Sequence, residues 1–140
     1  MFDLDMSSGA LQLSDAVTIT GGMPREVLEE DFKTLTGKPC YTDDLQRPSV
    51  MLSGTFFFAG LEAACTCLLH RDTLRMVGLC LINGTATEQR DALYRCLGQE
   101  EADPKKIQSL LFQYPFGTAW MAADQRSGNT ALRITYTVKE

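Results

Sequence analysis

The most constraining stretch of this sequence is Leu61-Glu62-Ala63-Ala64-Cys65-Thr66-Cys67-Leu68-Leu69, in which an apolar side chain stands at every second position. A period of two gathers Leu61, Ala63, Cys65, Cys67 and Leu69 on one face of an extended strand, and a helix would scatter them. The same period returns near the end, where Leu132, Ile134, Tyr136 and Val138 alternate with Arg133, Thr135, Thr137 and Lys139. Val50 to Phe58 and Leu74 to Ile82 are also strand-like, with Gly60 and the polar His70-Arg71-Asp72-Thr73 as the intervening turns. Strands joined so closely predict an antiparallel meander. Both parities of Leu74 to Ile82 are apolar, so this strand is expected to be central and covered on both faces. Its neighbour turns Glu62, Thr66 and His70 to a wetter side.

The flanking segments predict hairpins and helices. Phe2 to Met6 alternates apolar with acidic residues, Ser7-Ser8-Gly9 turns, and Leu11-Gln12-Leu13 resumes the alternation, with a short strand at Val17-Thr18-Ile19. Pro24 suits the first position of a helix, and Glu26, Glu29, Glu30 and Asp31 suit its positive end. Lys33, Gly37 and Lys38 mark its stop. Val27, Leu28, Phe32 and Leu35 form its apolar stripe, opposite an acidic face. Cys40 to Pro48 is polar and reads as a loop. Thr85 to Glu88 has capping-box spacing and opens a second helix with Leu93, Cys96 and Leu97 as its stripe and Gly98 as its stop, a candidate cover for the second face of the sheet. Asp103-Pro104 opens a short third helix carrying Ile107, Leu110 and Leu111, and Phe116 to Ala122 with Leu132 to Val138 closes the chain as a hairpin around Asp124 to Asn129. The expected fold is α+β: a mostly antiparallel sheet with two or three helices packed on it in two layers, as a single domain over residues 1–140.

Charge and composition narrow the function classes. Residues 1–50 hold nine acids against four bases, and the rest balances at nine against nine, so the whole net charge of -5 lies in the first third. Such a surface argues against nucleic acid, which demands clustered Lys and Arg, and favours a basic protein partner. Glu26, Glu29, Glu30, Asp43 and Asp44 are the candidate partner-binding residues. No apolar run approaches the ~20 residues of a membrane span, and the acidic Met1 to Met6 lacks the basic start of a signal peptide, so a cytoplasmic setting is expected. Cys40, Cys65, Cys67, Cys80 and Cys96 are odd in number and contain no Cys-x-x-Cys pair, which fits reduced thiols buried as small apolar groups, with no metal and no cofactor.

Catalytic patterns are sparse. The only histidine, His70, is expected in a solvent-facing turn, and neither a Gly-x-Ser-x-Gly elbow nor a phosphate-binding glycine loop occurs. Carboxylate pairs remain: Asp3 with Asp5, Glu26 with Glu30, and Asp43 with Asp44, each a candidate for a hard cation or an acid–base pair and each more simply read as solvated. Tyr114, Phe116 and Trp120 suit either core packing or a small-molecule site.

The closing unit Tyr114-Pro115-Phe116-Gly117, Asp124-Gln125-Arg126-Ser127-Gly128 and Ile134-Thr135-Tyr136 resembles the last hairpin of small, uncharacterised bacterial α+β proteins, some of them similar to cytoplasmic immunity proteins of polymorphic toxin systems. The resemblance implies a non-enzymatic protein that neutralises a toxin by covering its active site, and it assigns no binding residues. A chaperone of the type III secretion kind is the second binding reading. Against it stand the strands that precede the first helix and the missing last helix. A small carboxylate- or metal-dependent enzyme is the alternative from a different class.

Overall fold

The alternating stretches become the ladder that organises the molecule. The computed structural model describes residues 3–4, 8–44, 46, 49–58, 60–96, 109–123 and 129–137. Three two-residue strands, β1 (Asp3–Leu4), β2 (Leu11–Gln12) and β3 (Thr18–Ile19), form a small antiparallel sheet ahead of helix α1 (Arg25–Thr36). A larger sheet then takes β4 (Tyr41–Asp44), β5 (Ser49–Phe58), β6 (Leu61–His70) and β7 (Thr73–Leu81) as consecutive neighbours. After helix α2 (Ala86–Cys96), strands β8 (Ser109–Tyr114), β9 (Gly117–Ala123) and β10 (Thr130–Tyr136) complete it. The order across the sheet is β4-β5-β6-β7-β10-β9-β8, all antiparallel. The chain is therefore α+β, mostly antiparallel sheet with two helices.

Register lines up the apolar parity across the ladder. Leu52 pairs with Cys67, Cys67 with Val77, Val77 with Ile134, and Ile134 with Ala119, and all five are buried. A slip of one residue in any strand would turn its half of this core to water, so burial fixes the register. α1 lies on this face at β5, where Phe32 Cδ1 sits so close to Gly54 that an added Cβ would be 2.9 Å away. The small sheet meets the same face through Tyr136, whose hydroxyl donates to the Gly9 carbonyl at 2.7 Å, and a Cβ on Gly21 would come within 2.5 Å of Tyr136 Cγ. Glycine at 9 and 21 lets main chain lie directly on aromatic rings.

At the other end of β7 the neighbour changes. The β10 ladder ends near Thr135–Met76, and the stretch leading into α1 takes its place: Gly22 N–H donates to Leu74 O, Leu74 N–H to Met23 O, and Pro24 bridges Thr73. Between Leu68–Met76 and Leu69–Leu74 the register shifts, which leaves Arg75 as an extra residue.

Several expectations are corrected. Residues 41–44 are not loop but the edge strand β4, because pairing with β5 supplies a ladder even to residues of low strand preference. Leu110 and Leu111 belong to β8, opposite Met121 and Trp120, so the extended ladder overrides their helix-like spacing. Val27 is 45% exposed, since at 100° per residue it points away from the face of Leu28 and Phe32. Pro24 caps α1 from outside, in extended geometry. β7 is central as expected, but Met76, Gly78 and Cys80 on its second parity are only half-buried, and α2 packs at the end of β10 and beside β1 rather than across that face. Val138, the strand ends at Phe2, Asp5 and Met6, the stop at Leu97 and Gly98, the start of the third helix and the turn at 124–128 lie outside the described residues.

Candidate functional site

The acids singled out from sequence stand on two elements: Glu26, Glu29 and Glu30 on α1, which runs from the β6–β7 turn to β5, and Asp43 and Asp44 on the edge strand β4. Glu26 and Glu30, one helical turn apart, are exposed on α1. Glu29 is drawn into a pair with Arg25, Nε to Oε1 at 3.1 Å, and the same guanidinium lies 3.7 Å from Asp72. Helix and edge strand approach each other at Cys40, whose thiol is pushed up by burial and then by the negative charge of Glu29. Asp43 and Asp44 follow on β4, where every side chain is exposed. Successive strand residues point to opposite faces, so these two carboxylates diverge and do not make the paired site that adjacency in sequence suggested. Lys33 and Lys38, exposed at the C-terminal end of α1 and just beyond it, temper this charge.

Two aromatic residues that sequence reasoning passed over stand on β4 and its neighbour β5. Tyr41 is 79% exposed and Phe57 70%, the most exposed large apolar side chains among the described residues. Tyr41 lies opposite Ser53, and Phe57 lies four residues further along β5, so both project from the sheet face opposite the core. One signal was available for Phe57. Phe56 and Phe57 are successive in an apolar run, so on a strand their rings must take opposite faces, and Phe56 is the buried one.

Elsewhere the chemistry is less developed. His70 is the last residue of β6 rather than part of the turn, half-buried, with Nδ1 3.4 Å from Ser49 Oγ on the neighbouring strand. That contact is long for a hydrogen bond, and among the described residues no carboxylate bonds the ring to orient it as a base. Tyr114 and Phe116 stack at 5.3 Å between centroids, and Phe116 meets Tyr136 at 5.9 Å. Beside them lies a cleft of about 190 Å³ lined by Ser8, Gly21, Gly22, Phe116, Tyr136 and Thr137, smaller than the roughly 300 Å³ at which ligand pockets begin. Trp120 projects from the opposite face, 5.2 Å beneath the Arg133 guanidinium. Cys65 and Cys67 are buried side by side, their mutual contact and burial holding the Cys65 thiol well up, while Cys40 and Cys80 are half-buried. Among the described residues no group of three metal-ligating side chains converges, and no helix is long and apolar enough to cross a membrane.

No family model, characterised protein or solved structure matches the chain.

Proposed function

We propose that this chain is a non-enzymatic, cytoplasmic binding protein that meets a basic protein partner through the acids of α1 and β4, most concretely as an immunity protein covering a toxin's active site. The observation that carries this reading is the exposure of Glu26 and Glu30 on α1 and of Asp43 and Asp44 on the edge strand β4, all open to solvent. Carboxylates so placed accelerate encounter with a positive surface and contribute less to the lifetime of the complex. A toxin that handles phosphates has such a surface. In the same picture the helices and the small sheet form one layer on the buried face of the large sheet, a two-layer domain whose exposed acids are left clear.

Reversal of Glu26, Glu30, Asp43 and Asp44 to Lys, followed by association kinetics with the product of the neighbouring gene, tests the proposal. At low salt the association rate should fall by about tenfold or more, and the difference should shrink as screening grows. An unchanged rate in a variant with native circular dichroism would reduce these acids to solubilising charge.

A further inference from the structure

The geometry points to strand addition as the way this chain takes its partner: an extended segment with Lys or Arg at alternate positions adds to the outer edge of β4. This rests on the binding reading above and specifies its mode. β4 is the terminal strand of the large sheet, paired only on its β5 side, and no described residue pairs with its outer edge. Outward N–H and C=O groups of this kind are a template for another strand. β4 pairs with Val50 to Ser53 of β5, and among the described residues no strand pairs with β5 on that side from Gly54 to Phe58.

An acidic, four-residue edge strand also fits the opposite role, a guard against unwanted pairing. The aromatic residues decide between the two. A guard has no use for Tyr41 and Phe57 standing free in water, whereas exposed aromatic anchors beside an open edge are what a docked segment covers. Asp43 and Tyr41 share a face of β4, so basic side chains at alternate positions of an added strand would meet a carboxylate and then an aromatic ring. A second copy of the chain is the poorer occupant. Full antiparallel pairing of β4 with itself would set Tyr41 across from Asp44 and Thr42 across from Asp43, with Asp44 of one copy diagonal to Asp43 of the other, so four carboxylates would share one strand pair that holds no base.

The test uses the full chain with a synthetic decapeptide alternating Lys and Val, read by amide NMR. Strand addition predicts slowed hydrogen exchange at outward amides of β4, shifts at Tyr41 and Phe57, and binding at least about tenfold weaker when alternate peptide amides are N-methylated or when Tyr41→Ser and Asp43→Ser are combined. Binding that is indifferent to N-methylation and shifts only α1 would overturn strand addition while leaving the acidic-surface reading intact. No binding up to ~1 mM peptide would also overturn it, and the charge-reversal kinetics would then judge the acidic surface separately.

Discussion

Gln89 offers the sharpest test of how the two halves of the large sheet are joined. The side chain is 2% exposed, and each of its polar atoms is used. Oε1 accepts from Thr130 N–H at 2.6 Å, and Nε2 donates to Asn83 O at 3.0 Å and to Asn129 Oδ1 at 3.2 Å. The amide thus fastens α2 to both the exit of β7 and the entry of β10. Gln89→Leu orphans the buried Thr130 N–H, at about 1–3 kcal/mol, and frees two acceptors of which Asn83, being exposed, rehydrates cheaply; the sum is about 2–4 kcal/mol. Gln89→Glu keeps the acceptor for Thr130 but sets a buried carboxylate against two oxygens. Burial raises the folded-state pKa of that carboxyl above its unfolded value of ~4.3, so the penalty is full at pH 7 and fades as pH falls through the folded pKa toward pH ~4, where the acid form can donate. Urea unfolding followed by circular dichroism and Trp120 fluorescence reads both effects as midpoint shifts at constant slope. A loss below about 0.5 kcal/mol for Gln89→Leu, or the same loss at pH 4 and pH 7 for Gln89→Glu, would refute the reasoning.

Three further outcomes follow from burial, close approach and charge. Ile134→Ala, at a fully buried site, should cost roughly 2–5 kcal/mol against under about 1 for the exposed Thr135→Ala, and equal losses in thermal unfolding would deny the face assignment. Gly21→Ala drives a Cβ to within 2.5 Å of Tyr136 Cγ; about 1–3 kcal/mol should be lost, with a change in the near-ultraviolet tyrosine signal that a purely local effect would not give. Asp31 has a buried Oδ2 without a hydrogen bond among the described residues, and burial raises its pKa above 3.8, so its charge disfavours the native state at neutral pH. Asp31→Asn should therefore raise the melting temperature at pH 7, and the advantage should vanish near pH 3, where the carboxyl is protonated in both states.

Much of the fold was legible wherever local pattern and burial agree. The period-two runs became β6 and β10 with Leu61, Ala63, Cys65, Cys67, Leu69, Leu132, Ile134 and Tyr136 inside, Gly37 ends α1 in the left-handed conformation with its N–H on Lys33 O, and the Thr85–Glu88 box forms both of its bonds at 3.1 Å. Those features depend on neighbours in sequence. β4 was not legible because an edge strand needs one partner and tolerates Asp43 and Asp44, which in sequence are loop residues. β8 was missed because Leu110 and Leu111 fit either period over so short a span. The candidate acids were visible as charge, but the edge position of Asp43 and Asp44 and the exposure of Tyr41 and Phe57 depend on which strand becomes the edge.

The pairing of β7 with β10 bears on how the chain finds its structure in time. β4 to β7 and β8 to β10 are each runs of sequence neighbours, whereas Val77 and Ile134, matched across the seam, are far apart along the chain. Closing that separation spends chain entropy before any contact repays it, so the folding barrier should concentrate there, after each meander has gathered on its own. Lesions at Leu79 or Leu132 would then slow folding, while equal lesions inside the first meander would chiefly hasten unfolding. Until the seam closes, β7 and β10 are both open edges, and the interval before they meet is when one molecule is most exposed to pairing with another.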